Sequence, residues 1–140
     1  MKRILLLTFA IVIFFGAVSE ADAQNLKGTW TLRIMSTDRR EIATATLQFL
    51  DSEAESCMGG DWRQVLVSSA KTVDEKFFPL SEPLSYTVKG SEIVIGRNEI
   101  CDAYLHLRGH FKNGSVKGVY SSFGISGGKI LGRFSLSRNH

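Results

Sequence analysis

His106 and His110 are the only histidines in the body of this 140-residue chain, His140 being its last residue. Imidazoles act as general bases and metal ligands near neutral pH. Four positions apart on a strand, the two would share a face yet stand about 13 Å apart. One metal cannot bridge that gap with Zn–N bonds of about 2 Å. A metal site would need a carboxylate from a neighbouring strand, and no spacing in the chain points to one. The run Gly124-Ile125-Ser126-Gly127-Gly128 departs from the Gly-x-Ser-x-Gly nucleophile elbow and reads as a hairpin loop. Asp61, between Gly60 and Trp62, is either a carboxylate at a pocket mouth or a turn cap. No carboxylate pair and no Ser/His/Asp or Cys/His set has catalytic spacing. The chain is therefore read as a non-enzyme with no cofactor and no metal.

The two cysteines, Cys57 and Cys101, take their meaning from the N-terminus. Met1-Lys2-Arg3 is a short basic start, Ile4 to Phe15 is apolar apart from Thr8, and Ala21-Asp22-Ala23 fits an A-x-A cleavage site. This is the pattern of a secretory signal peptide, and the run is too short to cross about 30 Å of hydrocarbon. We expect residues 1–23 to be that signal, with cleavage before Gln24, and residues 24–140 to form one domain. The expected location is secreted or periplasmic. In that oxidising setting a lone pair of cysteines is expected to form a disulfide. Closing a loop of this length contributes at most about 4 kcal/mol in the chain-entropy account.

Charge is unevenly distributed. Residues 24–102 hold 12 acids and 9 bases, whereas residues 103–140 hold Arg108, Lys112, Lys117, Lys129, Arg133 and Arg138 and no acid. Such asymmetry can mark an anionic partner. We expect instead that cations spread over alternate faces of three strands form no patch. Export argues against nucleic acid as a partner.

The elements that carry these residues follow from a period of two. In Leu26-Lys27-Gly28-Thr29-Trp30-Thr31-Leu32-Arg33-Ile34, Trp30, Leu32 and Ile34 share one face and Thr29, Thr31 and Arg33 the other. The predicted strands are 28–35, 41–50, 61–70, 84–89, 92–97, 103–111, 115–122 and 129–137. Lys89-Gly90-Ser91 and Lys112-Asn113-Gly114 are tight hairpin turns. In 103–111, burial of Leu105, Leu107 and Phe111 is expected to leave the histidines in water. Two longer connections remain. One, from Asp51 to Gly60, is acidic and tied down only by its cysteine. The other runs from Lys71 to Pro83 and carries Phe77-Phe78. No sustained helical period follows the signal segment. Eight antiparallel strands close most simply into an all-β, up-and-down barrel, with a sandwich as the alternative.

Gly28-Thr29-Trp30 ahead of an eight-strand meander resembles the lipocalin and avidin superfamily, the calycins. The resemblance implies a barrel whose opening Gly-x-Trp strand seats the closed end. It also implies an arginine of the last strand packed over that tryptophan, and Arg133 and Arg138 are the candidates. Nothing corresponds to a second lipocalin motif or to a tryptophan-lined biotin pocket. The expected function is binding of a small apolar or amphipathic ligand. Trp30, Leu32 and Ile34 would form the floor and Phe77 and Phe78 the mouth, with Gly28, Arg133 and Arg138 in structural roles. The alternative is a protein-interaction module, such as an inhibitor of an exported hydrolase, that works through the acidic Asp51–Asp61 loop or through Phe77 and Phe78 as an apolar anchor.

Overall fold

The computed structural model describes residues 26–72 and 74–139. The expected signal segment lies outside the described residues. Eight strands follow in order: β1 (Thr29–Ser36), β2 (Glu41–Glu53), β3 (Arg63–Thr72), β4 (Leu84–Lys89), β5 (Glu92–Arg97), β6 (Ala103–Lys112), β7 (Ser115–Gly124) and β8 (Gly127–Arg138). Each pairs antiparallel with its neighbours in the chain, and β8 returns to β1, so the sheet is a closed up-and-down barrel. Closure removes the two sheet edges that an open meander would expose.

Turn chemistry sets the hairpins. Asn113 (φ 51°) and Gly114 (φ 71°) are both left-handed. This is the geometry that matches a two-residue turn to the twist of its strands. Closure carries a large offset. The paired row leaving Ser36 passes through Gly132, Tyr120, Leu107, Ile95, Tyr86 and Arg63, and returns on β2 at Glu53. Met35, next to Ser36, meets Glu41 directly. Such stagger tilts the strands and widens the barrel.

The interior is packed with side chains. Leu32, Ile34, Leu47, Phe78, Ile93, Ile95, Leu107, Val116, Tyr120 and Leu136 are fully buried, with Trp30 and Phe134 nearly so. The alternation expected of β1 and of the Ala43, Ala45, Leu47 face of β2 holds.

One seam differs from the rest. β3 and β4 pair only where Arg63, Gln64 and Val65 meet Tyr86, Ser85 and Leu84. Below that short ladder, Thr87 to Lys89 of β4 run on without a β3 partner, and the wall parts.

The connection between β2 and β3 is more ordered than its composition suggests. The Ala54 amide donates to Trp62 O, the Cys57 amide donates to Asn98 O, and Trp62 is buried. Cys57 and Cys101 are joined, with Cα atoms 5.4 Å apart. The cysteines sit in connections at opposite ends of the barrel, β2–β3 and β5–β6. The 54–62 segment must therefore run as a strap along the outside of β4, β5 and β6.

Candidate functional site

One end of the barrel is organised by Trp30. Its Nε1–H donates to Leu26 O (3.1 Å), Phe49 meets it edge-on at 6.2 Å, and the Arg138 guanidinium lies 5.1 Å from the ring centre. Gly28, at φ 91°, takes the left-handed turn that brings Leu26 back under the indole, a conformation costly for other residues. Of the two arginines in β8, Arg138 shares the inward parity of Phe134 and Leu136 and reaches Trp30. Arg133 stands on the outer face, exposed.

Beside this end, where β3 and β4 part, lies a cleft of about 630 Å³. Leu26, Phe49, Tyr86 and Val88 give it an apolar side, and Lys27, Asp51, Asp61, Arg63 and Lys89 a charged rim. Phe49 and Tyr86 are stacked edge to face, 4.9 Å apart. The Tyr86 hydroxyl donates to Leu50 O (3.1 Å), and burial raises its pKa. Arg63 pairs with Asp51 at 3.0 Å, but both side chains are largely solvated. A pair of this kind is worth little on its own and is available to a charged group of a ligand.

The opposite end is sealed. Phe77 and Phe78 both lie edge-on to Tyr120, at 5.2 and 5.3 Å, and the Tyr120 hydroxyl donates to Phe77 O. Burial raises the Tyr120 pKa. Phe78 is completely buried and Phe77 half-buried. The structure thus places Trp30 and the Phe77–Phe78 pair at opposite ends, with Leu32 and Ile34 in the packed body between them.

His106 requires a correction. Leu107 is in the core, Leu105 and Phe111 pack against it, and His110 is exposed, in line with the expected parity. His106 faces outward yet is only 2 % exposed. The reason is the strap. Trp62 covers the imidazole at 5.6 Å, Phe123 meets it at 4.7 Å, and Gly96 leaves room for the ring, since a Cβ there would collide with it. Asn98 donates from Nδ2 to Ser85 Oγ (2.8 Å), so its Oδ1 faces His106 Nε2 (2.7 Å), which must carry the proton. His106 Nδ1 is then a buried acceptor with no partner. Burial, aided by Arg108, lowers the His106 pKa to about 4, so the ring is neutral at pH 7.

A smaller groove of about 180 Å³ runs between the strap and the outer wall, past Trp62, His106 and Arg108. It shares Asp61, Thr87 and Lys89 with the larger cleft. Asp61, flagged in the sequence, therefore stands between the two openings. The roles of Phe49, Tyr86 and Val88 were not legible, because alternation alone puts them on the inner face without showing that the wall opens there. Among the described residues, no group of three or more His, Cys, Asp or Glu side chains is placed to hold a metal, and no helix is long and apolar enough to cross a membrane. Compared with protein-family models, curated proteins and solved structures, the chain matches none.

Proposed function

We propose that this chain is an exported binding barrel of calycin type, and that it takes a small amphipathic ligand in the cleft beside Trp30. The observation that carries this reading is the parted β3–β4 seam. It leaves a concavity of about 630 Å³ with aromatic and aliphatic residues on one side and charges of both signs on the other. Ligand sites of a few hundred Å³ combine apolar surface with orienting polar groups. In this cleft the polar and charged residues are the larger part of the lining, which suits an amphipathic ligand better than a purely apolar one. Phe49, Tyr86 and Val88 would bury the apolar part, and Arg63, Asp51 and Asp61 would orient the polar part. The joined cysteines support export, since such bonds persist in oxidising compartments.

The inhibitor reading loses its expected anchor, because Phe78 is fully buried. What favours it is a different pair, Ile125 at 87 % and Ile130 at 63 % exposure, on the β7–β8 hairpin. The two readings separate by experiment. 1-Anilinonaphthalene-8-sulfonate, an amphipathic dye, should bind the native protein and be displaced by organic extracts of the protein's native compartment. Val88→Trp, which fills the cleft, should abolish that binding, and Ile125→Ser should leave it intact. Dye binding that survives Val88→Trp would sink the cleft as the site.

A further inference from the structure

The six cations of residues 103–140 were expected to scatter. The register places several of them on one wall instead. Looking from outside, one paired row reads Arg33, Ser135, Lys117, His110 across β1, β8, β7 and β6. The next row reads Arg133, Val119, Arg108 across β8, β7 and β6. All of these alternate with the buried positions Ile34, Phe134, Val116, Tyr120 and Leu107, and so face solvent. Arg108 is held by Glu92 at 2.7 Å. Arg33, Lys117 and Arg133 are exposed and make no ion pair among the described residues. The nearest carboxylates stand at the margins. Glu92 is beside Arg108 and His110 at one edge, and at the other Glu41 accepts from the Thr44 hydroxyl (2.8 Å), Thr44 being the β2 residue paired with Arg33.

Between the free cations the outward residues are short. Ser135 lies between Arg33 and Lys117, Ser137 is two positions further along β8, and Val119 lies beside Arg133. A chain lying on this surface can come close to the backbone. Arg33 and Lys117 are two strands apart, on the order of 10 Å, and Arg133 sits diagonally between them. Three unpaired cations on a rigid sheet, spread over roughly 10 Å, suit an extended polymer with regularly placed negative charges. A compact anion would reach only one or two of them.

We infer that the outer wall of β6, β7, β8 and β1 binds a linear anionic polysaccharide, with Arg33, Lys117 and Arg133 as its charge-reading residues. This surface is separate from the cleft beside Trp30, so it stands or falls independently of the ligand-binding reading. A cluster of like charges on a fixed scaffold raises both the local concentration and the on-rate of a polyanion, and salt weakens the attraction.

The test uses the native chain on immobilised heparin, for a sulfated polymer, and on polygalacturonate, for a carboxylated one. Binding is expected to at least one of them, falling steeply with salt. Each of Arg33→Glu, Lys117→Glu and Arg133→Glu should weaken it by about tenfold. Lys76→Glu, exposed in the β3–β4 connection and on none of these rows, should change little. Unaltered thermal melts would show that each variant is folded. Retention on heparin alone or polygalacturonate alone assigns the anion. Absence of binding to both, equal binding to polyglutamate, or binding unchanged in Arg133→Glu and Lys117→Glu would overturn the proposal.

Discussion

At the end of the barrel that holds Tyr120, two phenylalanines from one loop fill the opening, and the tyrosine hydroxyl fastens them by a bond to their own backbone. At the end that holds Trp30, the aromatic residues are as many, but they line up along one side. Trp30 meets Phe49, and Phe49 meets Tyr86, while the wall next to them parts after Tyr86. The first end is closed by a segment whose apolar residues have nowhere else to go. Among the described residues, the second is covered by Leu26 and by charged side chains that water also satisfies. A seal made of buried rings is permanent. A rim made of solvated charges can exchange partners, and this is why the proposed function places the ligand at the cleft and not at the plug.

The largest expected effect tests that contrast at the sealed end. Phe78→Ala removes a fully buried ring and should cost about 3–5 kcal/mol, measured by urea unfolding. Dye binding in the cleft should persist in the folded fraction. If the dye site vanished with Phe78 while the fold survived, the two ends would not be the separate units described here.

A smaller effect concerns the strap that flanks the cleft. The unfolded imidazole of His106 titrates near 6.5 and the folded one at about 4. Between these values the unfolded chain binds the extra proton. The contribution of His106 is therefore fully present above about 6.5 and is lost as pH falls towards 4, by about 2–3 kcal/mol in all. His106→Gln should flatten this part of the stability–pH curve, read from unfolding midpoints between pH 7 and pH 4. An unchanged slope would mean that the ring is solvated.

The smallest effect lies at the open end. Arg138→Ala removes the cation over Trp30 and should cost about 0.5–1 kcal/mol. Tryptophan emission should shift to the red as the indole gains water. A loss as large as that of Phe78→Ala would show that the Trp30 end is sealed as tightly as the other.

Much of the fold was readable because it is written locally. Alternation in 28–35 put Trp30, Leu32 and Ile34 inside, and Lys112-Asn113-Gly114 set a turn whose two central residues are left-handed. Boundaries moved by a few residues where strands run on into their turns, as β2 does to Glu53. The site was less readable. Asp61 was noticed for its setting and stands between both openings, whereas Phe49 and Tyr86 looked like any other inward aromatic. His106 was expected in water, because an outward position on a half-buried strand normally stays there.

Residue order alone thus determined the number of strands, their inward faces and the pairing of the only two cysteines, since each depends on neighbours one or two positions away or on a simple count. Only the tertiary structure decided that β3 and β4 part below Tyr86, that the strap buries His106, and that Arg33 joins Lys117 and Arg133 on one wall. Those outcomes depend on the offset with which the sheet closes and on where a disulfide draws a distant loop. They arise between residues far apart in the chain, where no short-range pattern records them.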